Sequence, residues 1–526
     1  MPITKITALV AIIATLVGCT NENTPIDMII TGNTIYQGSN KAPIQGVIGI
    51  DKGKIIFIKE QLPTNLQAKT IIDANNMIVA PGFIDPHTHA CNDFVDNTTP
   101  NLNANYTTQG VSTVFCNVDG GGNIDVANTF TEYENQGIGT NVALYIGHGS
   151  VRKAVMGRSN RPPTDIELAK MKSLIEKAMQ AGALGLSTGL YYVPGNYATT
   201  AEVIELAKVA ARYNGVYDSH IRDESSYSVG LLGAIEEVIT IGEKAKLPVH
   251  VAHIKSLGVD VWGESKAVIE LIKNAQDRGI DVTADQYPWR ASGTSIAGSL
   301  MPREILAGDK SEYLARVKDE AQWPELKIAM QENLRRRGGA DSLLISDPTL
   351  AKLRGKTLAE IATMWELSPI DAARKIVIDG NARVASFNMS EQDIKAYMVQ
   401  PWVMTSSDGS PGHPRKYATF PKKYHEFVKQ KQWLTLNEFI NSSSSLTAKA
   451  FGLKDRGELK VGYAADIVVF DENKFIPKAD YIHPEELSEG VQWMVINGEL
   501  AISQGKLTNN LAGQAIRQHQ VAKVSQ

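Results

Sequence analysis

Ala80-Pro81-Gly82-Phe83-Ile84-Asp85-Pro86-His87-Thr88-His89 is the stretch whose reading decides the fold. The apolar run Met77-Ile78-Val79 passes through Pro81-Gly82 and a short Phe83-Ile84-Asp85 segment, then delivers two histidines two residues apart. Side chains alternate along a strand, so His87 and His89 point the same way. Two imidazoles on one face at a strand end can grip one metal ion. A bare His-x-His is equally common in surface loops, so the rest of the chain has to supply further ligands.

The middle of the chain does so. It alternates strand-like and helical segments, the signature of parallel βαβ units. Eight strands are expected: Gly82–Asp85, Ser112–Cys116, Val142–Ile146, Ala183–Leu186, Gly215–Asp218, Val249–Ala252, Asp281–Ala284 and Val403–Thr405. Eight is the number that closes a (β/α)8 TIM barrel. Thr164-Asp165-Ile166-Glu167 fits a capping box ahead of a helix, and Thr199-Thr200-Ala201-Glu202 opens another. About a hundred residues, roughly 296–398, separate the last two strands. That is too long for a βα loop and predicts an inserted helical subdomain over the barrel mouth.

Polar residues cluster just after these strands. His87 and His89 follow the first, Cys116 and Asp119 the second, and His148 the third. His220 follows the fifth, His253 the sixth, Asp285 and Tyr287 the seventh, and Asp408 the eighth. Barrel geometry places strand C-termini at one rim, so histidines and carboxylates from distant parts of the chain converge there.

The two ends read differently. Residues 27–80 and 450–512 are rich in short strands and are expected to form one small β-sandwich domain, leaving 81–449 to the barrel. The fold class is therefore α/β, a barrel with a sandwich built from both chain ends. Lys5, the apolar run Ala8–Gly18 and Cys19 form a secretory signal, with a core too short to span a bilayer. Leu16-Val17-Gly18-Cys19 is similar to the bacterial lipobox, which implies that residues 1–19 are a lipoprotein signal segment in which Cys19 receives lipid and becomes the mature N-terminus. Residues 20–26 would be a tether, and Thr20 in place of Asp implies outer-membrane retention facing the periplasm. With Cys19 used, only Cys91 and Cys116 remain of the three cysteines, and no disulfide framework follows from spacing. A net charge of −4 without a basic stripe argues against nucleic acid, and contact with a membrane is expected only through Cys19.

Taken together, the motifs resemble the amidohydrolase superfamily, and within it the N-acyl-D-amino-acid deacylases. The similarity runs from residue 28 to about 510. It is carried by the His87/His89 stretch, Gly147-His148-Gly149, Gly182–Gly189, Tyr192–Ala198, Ser219–Glu224, Asp285-Gln286-Tyr287-Pro288, Ser407-Asp408-Gly409, His413–Tyr417 and Gly462–Asp471. The resemblance implies that His220 and His253 hold the tighter zinc, that His87, His89 and Asp408 frame a weaker second position, and that Asp408 is the catalytic base and acid. One or two zinc ions are implied, with another divalent metal acceptable.

One departure concerns the bridging ligand. The family places a cysteine after the second strand, six residues beyond the second Thr of a Gly-hydrophobic-Thr-Thr run; counting six from Thr113 reaches Asp119, while Cys116 falls three residues early. Asp119 is therefore the expected bridge, with Cys116 a packed core residue and Cys91 a further candidate ligand. The resemblance also assigns the substrate carboxylate to Lys255, Tyr287 and Arg415, groups suited to a small molecule with a free carboxylate. A family serine beyond the tyrosine is replaced by Gly293, flanked by Ser292 and Thr294, and Arg152 and Arg290 are candidates to meet an acidic side chain or the acyl end. Cyclic amidases of the same barrel type use a lysine after the fourth strand, and Leu184–Leu190 has none. Hydrolysis of dipeptides ending in a D-residue, and ligand binding without turnover, are the alternatives.

Overall fold

The structure, a computed structural model, describes residues 25–94, 101–347 and 349–518. Cys19 and the signal segment lie outside them. No described helix is long and apolar enough to cross a membrane.

Both chain ends enter one nine-stranded sheet. Five strands come from Ile26–Pro81 and four from Ile467–Leu507. The join is Ile78–Pro81 running antiparallel to Ile467–Phe470, with Pro81 opposite Ile467 and the Gly82 amide bonded to the Asp466 carbonyl at 2.8 Å. Alternate residues Ile48, Ile50, Val79, Ile467 and Val469 bury one apolar face. Asp51-Lys52-Gly53-Lys54 is the hairpin turn its sequence suggests: Lys52 and Gly53 both have positive φ, which a two-residue primed turn requires.

From that anchor the chain enters two arcs of parallel strands. The first pairs Phe83–Asp85, Val111–Cys116 and Asn141–Leu144. The second runs in the order Val403–Thr405, Val282–Gln286, Val249–Val251, Val216–His220, Gly185–Gly189 and Ile146–Gly147. All eight expected strands are present, Val403–Thr405 with the expected bounds and the others shifted by up to three residues at their ends; the third is interrupted at Tyr145. Helices cover the outside. Thr164 caps Asp165–Gln180 with the reciprocal Glu167 bond. Thr199 caps Thr200–Ala211, but the Glu202 carboxylate turns inward to Arg152 and His148 instead of back to the cap.

The insertion is not purely helical. It packs helices such as Trp323–Arg336 and Pro369–Ile378 around its own core of Ile296, Leu300, Met330, Ile361 and Ile376. Two of its strands, Arg383–Phe387 and Leu343–Ile345, also form an antiparallel sheet with Ala291–Ser295 just ahead of it. These strands are three to five residues long, and a run as short as Leu343-Leu344-Ile345 carries no period to read.

One buried cation lies beside the end of the Val403–Thr405 strand. Lys423 is 1 % exposed and donates to the hydroxyls of Thr405, at 2.8 Å, and Ser442, at 3.3 Å. Among the described residues no carboxylate pairs with it, and burial pulls the ammonium down to about 7. A base whose folded pKa is depressed carries its full folding penalty below that pKa and loses it as pH rises toward the unfolded value. Lys423→Met is therefore expected to raise stability by on the order of 4 kcal/mol at pH 7, and the gap to the parent should narrow by about 2 kcal/mol at pH 9. Urea unfolding at the two pH values measures both quantities.

Candidate metal centre

The strand ends and the loops after them deliver six side chains to one place. His87, His89, Asp119 and Asp408 form one group whose donor atoms lie within 4.8 Å of one another, and Asp119, His220 and His253 form a second. Asp119 belongs to both. Its Oδ1 lies 3.3 Å from His87 Nε2, 3.4 Å from His220 Nδ1 and 3.5 Å from His253 Nε2. Its Oδ2 lies 3.5 Å from His89 Nε2, which is itself 3.4 Å from Asp408 Oδ1.

The backbone is forced at three of these positions. Asp119, His253 and Asp408 have φ of 55°, 35° and 45°, the left-handed region that costs a non-glycine residue energy. Two buried carboxylates hold the frame. Asp85 Oδ1 accepts from the amides of His87, at 3.3 Å, and Ser407, at 3.1 Å, so the first and last strand ends are pegged together. Asp285 accepts from the His253 amide at 3.0 Å, from His250 Nε2 at 2.8 Å and from the Ser406 hydroxyl.

The cradle fits a cation. Both ring nitrogens of His87, both of His220 and Asp119 Oδ1 are buried and have no hydrogen-bond partner among the described residues. Buried polar atoms are otherwise nearly always satisfied, and imidazoles with a carboxylate are a zinc-type donor set. His253 Nε2 faces the cradle, 3.5 Å from Asp119 Oδ1, and on the far side of the ring its Nδ1 lies 3.1 Å from Glu224 Oε1, a carboxylate able to accept the Nδ1 proton. A carboxylate on the far nitrogen of a ligating histidine fixes ring orientation and raises basicity. Glu224 was present in the Ser219–Glu224 motif, but only the fold shows which histidine it serves. Burial works against charge on His253, yet Asp119 and Glu224 bring it up to about 10; Asp119 and Asp408 likewise bring His89 to about 9. Metal loading would release these protons.

Asp408 faces the same space. Burial alone would raise its carboxyl, but the Arg415 guanidinium, 2.8 Å from Oδ2, and His89 hold it well below the usual carboxylate range. Lys255, Tyr287 and Arg415 line a cavity of about 40 Å³ with His220, His253 and Asp408. Arg415 lies 4.7 Å from the Tyr287 ring, and the Tyr287 hydroxyl has no hydrogen-bond partner among the described residues. Both cations already face carboxylates, since Lys255 Nζ is 2.5 Å from Glu224 Oε1. Gly293 leaves room for the Arg415 guanidinium, which a Cβ there would meet at 3.1 Å. A chamber of about 510 Å³ adjoins the cavity, sharing Tyr191, Tyr192 and Thr294 as walls.

Other expectations are corrected. Cys91 and Cys116 form a disulfide, which leaves neither thiolate free to bind metal and removes Cys116 as a free core thiol. The bond ties the turn after His89 to the strand that precedes Asp119, closing a loop of 25 residues, worth about 3.5 kcal/mol in the chain-entropy account. His148 and Arg152 turn away into a fully buried cluster with Glu202, at 3.1 Å and 2.5 Å, so Arg152 is not available to substrate. Arg290 is exposed and lines a separate pocket with Trp289 and Tyr481.

A parallel α/β frame whose strand ends gather imidazoles and carboxylates around a shared aspartate defines a metal-dependent hydrolase. Residues 70–287 and 349–502 match the Amidohydrolase family, and the chain belongs to it. It is 30% identical to N-acyl-D-glutamate deacylase of Alcaligenes xylosoxydans xylosoxydans, over 90% of this chain and 93% of that one. It is 29% identical to D-aminoacylase of the same organism, over 94% and 98%. The crystal structure of N-acyl-D-glutamate deacylase from Bordetella bronchiseptica, complexed with zinc and a phosphonate inhibitor, superimposes with a TM-score of 0.79 at 30% identity, covering 94% of this chain and 100% of that one. The resemblance read from the motifs is borne out.

Proposed function

We propose that this chain is a metal-dependent deacylase that cleaves N-acyl-D-amino acids to a carboxylate and a free D-amino acid. The observation that carries the reading is Asp119 standing between two ligand groups with Asp408 at their edge, in a chain similar along nearly its whole length to deacylases of that class.

His87, His89, Asp119, His220, His253 and Asp408 would hold one or two zinc ions. When bound, zinc supplies Lewis acidity toward the amide carbonyl and lowers the pKa of water to roughly 7. Asp408 accepts the proton of the attacking water and returns it to the departing amine. Its pairing with Arg415 keeps it ionised and aimed at the centre. Glu224 fixes the His253 ring, and Asp85 and Asp285 hold the strand ends that carry the ligands. Tyr287, Arg415 and Lys255 border the cavity where the substrate carboxylate would lie, and the adjoining chamber has room for the acyl group.

We further infer that the two parallel arcs are parts of one (β/α)8 cylinder. Only Tyr145 separates the strands that would join them on one side. On the other, the Asp408 amide bonds the His87 carbonyl at 2.9 Å and the His89 amide bonds the Gly409 carbonyl at 3.3 Å. The sheet from both chain ends, with its own core, is read as the companion sandwich. The address we propose is an exported protein anchored through Cys19 and facing the periplasm; the Cys91–Cys116 disulfide supports an oxidising compartment.

The test is a hydrolysis screen of metal-loaded protein lacking residues 1–19, with N-acetyl and N-formyl D- and L-amino acids beside dipeptides ending in a D-residue. Release of D- but not L-amino acids from the acyl substrates is expected. Turnover of L-substrates alone would defeat the stereochemical assignment, and turnover of dipeptides alone would replace the deacylase by a dipeptidase.

A further inference from the structure

The two spaces beside the metal ligands differ in size and in lining. The inner cavity, of about 40 Å³, is bordered by the ionic groups Lys255, Glu224, Arg415 and Asp408. The chamber that adjoins it has about 510 Å³. At roughly 30 Å³ for each non-hydrogen atom, the share of a water molecule in the liquid, that is room for more than about a dozen atoms. An acetyl group extends only a single methyl beyond its carbonyl. Val193, Ala297, Met301, Leu306 and Tyr313 wall the chamber, all but Val193 from the inserted subdomain, and among the described residues no carboxylate lines it. Ala297 and Met301 are buried, and Val193, Leu306 and Tyr313 half-buried. The cations on its lining are accounted for without an anion: Arg158 and Lys310 are exposed to solvent, while Arg303 stacks 4.2 Å from the Tyr191 ring and donates to the Arg222 carbonyl at 3.2 Å.

The chamber meets the cavity on its metal side. Tyr191 and Tyr192 belong to both spaces, and their rings lie 5.7 Å and 4.6 Å from the ring of His220, one of the metal-binding histidines. The carbon that water attacks is held at the metal, so it stands beside this shared wall. Lys255, Tyr287 and Arg415, which border the α-carboxylate, line the inner cavity and not the chamber. The part of the substrate that leads into the chamber is therefore the acyl group, and an apolar wall gains affinity from every methylene it takes out of water. We propose that the chamber binds an extended apolar acyl chain, on the order of eight carbons long. The substrate class is then N-acyl-D-amino acids whose acyl group is a medium or long alkanoyl chain. Water adds to the acyl carbon, the C–N bond breaks, and the water's proton leaves with the amine, giving a fatty-acid carboxylate and the D-amino acid. This inference rests on the deacylase reading above.

The experiment lengthens one end of the substrate at a time. The metal-loaded enzyme is given acetyl, butanoyl, hexanoyl and octanoyl D-alanine, and in parallel the N-acetyl derivatives of D-alanine, D-norvaline and D-norleucine. In the acyl series kcat/KM is expected to rise roughly threefold per added methylene, or several hundred-fold from acetyl to octanoyl, mainly through KM. The side-chain series should change far less per methylene. Leu306→Trp, which fills part of the chamber, should lower the octanoyl-to-acetyl ratio by on the order of tenfold or more. Leu306→Gln keeps the length of the side chain but makes the wall polar, and should lower the same ratio by about a few-fold. A flat or falling acyl series with acetyl turned over, or a steeper rise along the side-chain series, overturns the inference and leaves the deacylase reading intact. So does an acyl preference that both variants retain in full. Absence of turnover on every N-acyl-D-amino acid would remove both readings. If Leu306→Trp does not fold, the parent's two series and the Leu306→Gln ratio still decide.

Discussion

Asp408→Asn is expected to lower kcat by on the order of 1,000-fold, the range that a positioned acid and base contributes. The substitution keeps shape, and Asn tolerates the left-handed backbone that position 408 requires, at φ 45°. What it removes is the charge that pairs with Arg415 and the site that takes a proton. Asp408 is outside the second ligand group, so metal at Asp119, His220 and His253 should be retained. The check is kcat on a D-substrate together with metal content of the same preparation. A variant that has lost its metal as well as its activity would mean that Asp408 serves chiefly as a ligand. A variant that remains active would remove it from the chemistry.

The second large effect is expected at Asp119. Every other ligand belongs to one group, and this carboxylate alone belongs to both. Asp119→Asn also suits the local backbone, at φ 55°, so the fold should survive. Burial would push the Asp119 carboxyl up, but His87 and the neighbouring His220 and His253 hold it well below the ordinary range, and the four imidazoles lose that anion together. Metal affinity should fall by at least about 100-fold, more than the usual loss of a group that only supports a ligand, and activity with it. Asp119→Cys replaces a hard oxygen by a soft sulfur and should shift preference toward softer ions. Competitive loading with zinc and manganese, read by mass spectrometry, measures this. Unchanged affinity in Asp119→Asn would show that the two groups do not depend on a shared ligand.

Much of this centre was legible because its cues are local. Alternation placed His87 and His89 on one face, and each later ligand stands within about four residues of a strand end. Counting from Thr113 pointed to Asp119 and not Cys116, and the geometry puts Asp119 between the histidines. What was hidden depends on distances between segments far apart in sequence. Nothing in the spacing of Cys91 and Cys116 says that two strand ends bring their sulfurs together. Lys255 and Arg415 look like free substrate cations until Glu224 and Asp408 are seen beside them. Arg152 and His148 sit in the right part of the sequence, yet the inward turn of Glu202 claims both. Arg337 is the opposite case: it follows a helix of the insertion, far from any barrel strand, and only folding brings it to the cavity.

The claim on which all else depends is that one aspartate joins two sets of metal-binding side chains drawn from separate strands. Anomalous diffraction at the zinc edge, from crystals of the zinc-loaded protein, tests it most directly. The account predicts a peak bounded by Asp119, His220 and His253, with any second peak between Asp119 and the His87/His89 pair. Zinc bound without contact to Asp119, or scattered at surface histidines with the cradle unused, would contradict it.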